Sequence, residues 1–235
     1  MLVVVAGRRD SAARGLVARW SPHDAALLTA DDLSVAGWRY HVGDARSGAA
    51  VVDGQVVPAG DVTGVLVRLP GVSAADLPHV HQDDRDYVAA EMTAFLAAWL
   101  GRLDCPVVNR PAPGCLAGPA WRHKQWVHIA ARSGLAVQPV RRRATLEQGV
   151  CSPAAGGPDS TVVTVVGERC LGSADSGLAA QARRLARAAG VELLAVSFDG
   201  PQPGASFIGA SLWADVAAPD VADAIGAYLC RPRRC

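Results

Sequence analysis

Lys124 is the only lysine among 23 basic residues in this chain; the other 22 are arginines. A polyphosphate site built from two ammonium groups therefore lacks one of them. Arg68 stands at the end of an apolar run, Val62 to Leu69. In an open α/β sheet, that position faces the crevice where ligands bind. A salt bridge at the domain seam is the alternative use of its guanidinium. His79 and His81, with Asp83, Asp84 and Asp86 close behind, offer nitrogen and oxygen donors for a metal. The plainer reading is favoured: an exposed loop before a helix, with Asp83 or Asp84 as its cap. His123 and His128 flank Lys124 but lack the four-residue spacing of a helical zinc pair. The six cysteines are spread out, and none forms a CxxC pair. No nucleophile elbow, Walker loop or dinucleotide fingerprint occurs.

The surrounding pattern says what must position these groups. Leu2 to Ala6 is a short Val-rich run, expected as a buried strand, and Ser11 to Trp20 follows with helical spacing. Ala26 to Leu28 and Val62 to Leu69 are further strands. Asp53-Gly54 between two valine pairs predicts a hairpin over Ala49 to Val57. Asp83 to Leu100 carries apolar residues at three- and four-residue spacing, a helix signature. Val107 to Asn109 is a strand and Trp121 to Ser133 a helix stopped by Gly134. Residues 144–160 are rich in Pro, Gly and Ser and read as a loop. Beyond them come a hairpin (Thr161 to Val166, Arg169 to Leu171), a helix to Ala189, strands Val191 to Phe198 and Phe207 to Val216, and a closing helix to Leu229. Pro219 suits the start of that last helix.

Composition narrows the class. The chain has 235 residues, half of them apolar, and a net charge of +1. It can bury a core without disulfides or metal staples. A balance near neutrality gives no broad field for nucleic acid or an anionic membrane. No apolar run approaches the ~20 residues that span a bilayer. MLVVVAG is too short for a secretory signal, so a cytoplasmic protein with reduced thiols is expected. The alternation of strands and helices in the first half favours a parallel sheet, and the second half is more α+β in character.

Taken together, these pieces resemble the ATP-grasp superfamily, which joins a carboxylate to an amine through an acyl phosphate. One block runs from Leu2 to about Val140. It holds GVLVRLPGV with Arg68, a helix bearing Glu91, Asn109-Arg110-Pro111, a helix bearing Lys124, and Gly134-Leu135-Ala136-Val137-Gln138-Pro139. A second block, Thr161 to Leu229, holds TVVTVVGERCLGS and a late helix, strand and closing helix. The resemblance implies a pre-ATP-grasp-like parallel α/β domain, residues 1–117. A truncated α+β ATP-grasp-like domain, residues 118–235, follows it. Arg68, Asn109 and Arg110 would be ligand-binding, and Lys124 would meet a nucleotide phosphate.

The same resemblance shows what is wanting. The family places a second lysine, a glycine-rich phosphate loop and the adenine hinge after the Val-Pro strand. Here residues 141–160 fill that place and contain no lysine. Arg141 and Arg142, with Arg143, would have to supply the cationic clamp, although a solvated strand edge is the favoured reading of the run. The family's magnesium motif falls on Ser197, with Asp199 two residues on, and on Asp215-Val216-Ala217. Mg²⁺ needs oxygen ligands, and alanine offers none from its side chain. Asp199 and Asp215 are the remaining metal candidates. Phosphoryl transfer rests on positioned cations and donors, each worth about 3 kcal/mol. The expectation is a degenerate, non-catalytic accessory protein without a cofactor, partnered by a second copy or by an active ligase. The alternatives are a minimal ligase using ATP and Mg, and a purely structural protein.

Overall fold

A computed structural model describes residues 1–41, 48–138, 160–172 and 174–231. Arg141, Arg142 and Arg143 lie outside the described residues. In chain order the elements are β1 (Leu2–Ala6), α1 (Ser11–Arg19), β2 (Ala25–Leu28), β3 (Ala49–Val52), β4 (Gln55–Pro58), β5 (Gly64–Arg68), α2 (Arg85–Arg102), β6 (Val107–Val108), α3 (His123–Arg132), β7 (Thr161–Val166), β8 (Arg169–Leu171), α4 (Ser176–Ala189), β9 (Leu193–Phe198), β10 (Phe207–Ser211) and α5 (Pro219–Leu229). They fold as two compact units: residues 1–120 with 215–235, and residues 121–214.

In the first unit β1 is buried along its whole length, as its unbroken apolar run requires. It pairs in parallel with β2 on one side and β5 on the other, and β5 pairs in parallel with β6. The order β2-β1-β5-β6 means that the chain leaves β1 in one direction and returns on its other side. Val3, Val5, Val65 and Val67 pack with Leu96, Trp99 and Leu100 of α2, and Ala50 and Val52 of the hairpin join them. That hairpin turns through Asp53 (φ 50°) and Gly54 (φ 72°), two left-handed residues, as a two-residue turn with right-handed strand twist demands.

The closing helix α5 belongs to this unit. The sequence reading kept residues 118–235 together, but no local pattern reveals where a terminal helix docks. The Trp20 indole N–H donates to the Ala222 carbonyl at 3.2 Å. Arg19 forks onto Asp223 at 2.7 Å through two nitrogens. Gly64 lets α5 approach: a Cβ there would lie 2.9 Å from Leu229 Cβ and 3.1 Å from the Leu229 carbonyl oxygen. Gly64→Ala is accordingly expected to destabilise the chain by about 1–3 kcal/mol in urea titration, the range of overpacked cores.

The second unit is an antiparallel sheet of order β10-β9-β7-β8. Val137 extends it by a parallel bridge to Phe207, with the Phe207 N–H donating to the Ala136 carbonyl at 2.7 Å. Leu178, Ala182 and Leu185 of α4 and Trp126 and Ala130 of α3 cover one face with Val163, Val165, Leu194, Val196 and Phe198. Gly190 ends α4 in the left-handed conformation (φ 65°), its N–H returning to the last carbonyls.

Candidate functional site

The strand order places a switch point between β1 and β5, and ligands of open α/β sheets bind outside the carboxyl ends at such points. Arg68 ends β5 there, and Asp10 follows the end of β1. They meet: Arg68 Nε donates to Asp10 Oδ2 at 2.9 Å, with side chains 14% and 20% exposed. Asp10 also caps α1, its Oδ1 accepting from the Ala13 N–H at 2.9 Å. Burial opposes ionisation of Asp10. The Ala13 N–H, the Arg68 guanidinium and the Ala12 N–H outweigh it and hold the carboxyl below the ordinary value of 3.8. This ion pair lies within the first unit and not at a domain seam. Asp10 was missed in the sequence, although an aspartate just before a helical run is an N-cap signal.

Asn109 is buried just beyond β6. Arg110 is turned toward the end of α2. One terminal nitrogen donates to the carbonyls of Leu100 (3.1 Å) and Gly101 (3.3 Å), the other to Leu103 (3.1 Å) and Cys105 (3.3 Å). Those are carbonyls at and beyond a helix end, and a guanidinium satisfies them while complementing the helix dipole. Arg110 therefore has a structural task whatever else it touches.

In the second unit Lys124 sits exposed in the first turn of α3, without a hydrogen bond or ion pair among the described residues. Asp199 follows β9 and braces the turn into β10. Its Oδ1 accepts from the Ser206 N–H at 2.6 Å and its Oδ2 from Gln138 Nε2 at 3.4 Å. Ser197 lies within β9, in register with Gly209 and Val162. Asp215 belongs to the first unit, where its Oδ1 accepts from the Ala217 N–H at 3.0 Å in a local turn.

Asp199 thus accepts from two protein donors in the second unit, and Asp215 from one in the first. Among the described residues, no group of three or more His, Cys, Asp or Glu side chains converges as a metal site. The histidine-rich loop agrees: His79 hydrogen-bonds Ser34 Oγ at 2.8 Å, and His81 lies 3.8 Å from Asp83, both pairs exposed. The expected aspartate cap is a correction, because Asp84 is the N-cap residue of α2 but its side chain makes no capping bond. A preceding 3₁₀ turn, Gln82–Asp84, carries the chain into the helix instead.

The chain has an ATP-grasp-like fold, a mixed α/β structure with a four-stranded parallel sheet, a four-stranded antiparallel sheet and a two-stranded hairpin among the described residues. It superposes on the macrocyclase MdnC of Microcystis aeruginosa MRC, solved with the precursor peptide MdnA, with a TM-score of 0.68 and 11% identity over 99% of this chain and 100% of that one. The ATP-grasp ligase PsnB, solved with a minimal precursor, Mg and ADP, matches at 0.63 with 16% identity over 98% of each chain. A RiPP-associated ATP-grasp ligase of Chryseobacterium gregarium, solved with ADP and a leader and core peptide, matches at 0.64 with 11% identity over 99% and 98%. No family model and no curated protein sequence matches the chain. Among the described residues, no helix is long and apolar enough to cross a membrane.

Proposed function

We propose that this chain is a catalytically degenerate ATP-grasp-fold protein that binds a peptide or partner in a peptide- or amino-acid-modifying pathway. The observation that carries this reading is the residue at the family's last metal position. Ala217 stands there and its side chain offers no oxygen, while Ser197 stands at the first position with Asp199 two residues on. A triphosphate carries its charge into a site only where cations and a metal offset it. One lysine and a metal motif reduced to Asp199 and Asp215 do not meet that need.

Peptide binding enters by likeness, since the macrocyclase was solved with a precursor peptide, PsnB with a minimal precursor and the Chryseobacterium gregarium ligase with a leader and core peptide. Arg68 and Asn109 would frame the ligand at the carboxyl end of the parallel sheet, with Arg110, whose terminal nitrogens hold the carbonyls at the end of α2, as their support. Arg68 arrives there already neutralised by Asp10, so recognition would rest on shape and backbone contacts more than on net charge. The partner is a second copy of the chain or an active ligase, and light scattering separates the two: a monomer at high concentration removes the homodimer.

One observation favours the second reading, a minimal ligase using ATP and Mg: Lys124 is exposed and unengaged among the described residues. Arg141 and Arg142 would then join it on the phosphates. Thermal melting decides between them. A site with a Kd of ~50 μM, at ~5 mM Mg-ATP, stabilises by ~2.7 kcal/mol and raises Tm by roughly 5–10 °C. The degenerate reading expects no rise; a rise of that size that Lys124→Ala removes establishes the ligase reading instead.

A further inference from the structure

In the first unit an open groove of ≈ 450 Å³ lies between α2 and the segment that follows β2. That volume falls within the range of about 300–1,000 Å³ typical of ligand clefts. Leu33, Val35 and Trp38 line one side and Met92 and Phe95 the other, with the exposed Glu91 beside them. The walls are held in place by the fold. Trp38 donates its indole N–H to the Asp32 carbonyl at 2.8 Å. Its ring stands edge-on to Phe95 at 5.1 Å and to Trp99 at 5.5 Å between centroids. The apolar surface continues past the groove: Val35 is 42% exposed, and Val56, 49% exposed, has a methyl 2.5 Å from where a Cβ on Gly37 would lie. Contiguous exposed apolar surface of this kind marks interaction sites.

The charge around the groove is one-sided. Glu91 has no hydrogen bond or ion pair among the described residues. Asp83, Asp84 and Asp86 precede it, and the arginine among them, Arg85, turns its guanidinium to the Val80 and Pro78 carbonyls. Residues 33–38 across the groove carry no charged side chain. An occupant that complements this face is apolar where it enters and cationic where it meets Glu91. We infer that the groove takes a peptide segment whose apolar side chain enters between Trp38, Met92 and Phe95 while an adjacent lysine or arginine pairs with Glu91. The inference rests on the peptide-binding reading above and gives the peptide a contact additional to Arg68 and Asn109.

Fluorescence anisotropy with the full chain and labelled peptides of about ten residues tests the groove. One peptide alternates leucine with lysine, a second leucine with glutamate, a third serine with lysine. The leucine–lysine peptide is expected to bind saturably and the other two about tenfold more weakly or worse. Glu91→Lys should invert the charge preference, weakening the leucine–lysine peptide about tenfold and strengthening the leucine–glutamate one. Val35→Ser should weaken the leucine–lysine peptide as well. Both side chains are exposed, so the variants should keep their fold, checked by circular dichroism. The inference is overturned if the leucine–lysine peptide does not saturate, if either control peptide binds as tightly, or if either variant binds it as tightly as the parent. Binding that ignores both substitutions lies elsewhere on the chain and keeps the peptide reading without this groove. A dimer in light scattering that Val35→Ser dissociates, with no peptide binding, gives the face to a second copy and also overturns the inference. The Mg-ATP melt tests the degenerate reading independently of all these outcomes.

Discussion

Asp10→Ala is expected to destabilise the first unit by about 2–4 kcal/mol in urea denaturation. Two losses combine. The α1 cap disappears, since the Ala13 N–H loses its acceptor at 2.9 Å. Arg68, 14% exposed, then keeps its charge without the carboxylate that faced it. Arg68→Met should cost less, because Asp10 retains its backbone donors and the aliphatic stem is replaced. The pH dependence has a definite sign. The folded-state carboxyl titrates below its ordinary value of 3.8, so its contribution is complete above that value. It fades as pH falls through the lower folded-state value, where both folded and unfolded forms are protonated. The stability gap between the parent and Asp10→Asn should therefore be constant from neutral pH to about 5 and shrink in stronger acid. A gap that widens on acidification would contradict the ion pair.

Phe198→Ala should cost the second unit about 3–5 kcal/mol, as for large buried aromatics cut to alanine. Phe198 is fully buried at the end of β9, between β10 and β7 in the sheet, where it pairs with both Phe207 and Thr161. It belongs to the same core as Leu178, Leu185 and Phe207. Neighbours held by two strand ladders cannot close the void, so the cavity remains and adds to the lost transfer energy. Phe198→Leu, which keeps much of the volume, should cost no more than about 1.5 kcal/mol. Amide hydrogen exchange across β7, β9 and β10 is the readout. Unchanged protection there in Phe198→Ala would mean that the side chain is not central to that core.

The valine-rich strands were legible in the sequence because they are short, largely buried and β-branched. Leu2–Ala6 in the first unit and Thr161–Val166 in the second emerge with the bounds their valine runs suggest. The Asp53-Gly54 turn and the Gly190 stop were equally plain, since each needs a backbone conformation that few residues adopt. Long-range docking was not legible. Nothing near Val221 or Leu229 says that α5 packs on Trp20 and Gly64 rather than on the preceding sheet. The site was half legible. Arg68 was marked by its place at a strand end, but Asp10 is 58 residues away in sequence. Such a pairing appears only once β1 and β5 are neighbours. Arg110 carried the right charge for a ligand, yet its fork is taken by four backbone carbonyls that the sequence could not assign to it.

Isothermal titration of the full chain with Mg-ATP, alongside Lys124→Ala, bears most directly on whether the fold still grips a nucleotide. With alanine at position 217 and a single lysine in the chain, no saturable heat is expected from either protein at millimolar nucleotide. A saturable exotherm in the parent that vanishes in Lys124→Ala would show an intact phosphate site and contradict the degenerate reading.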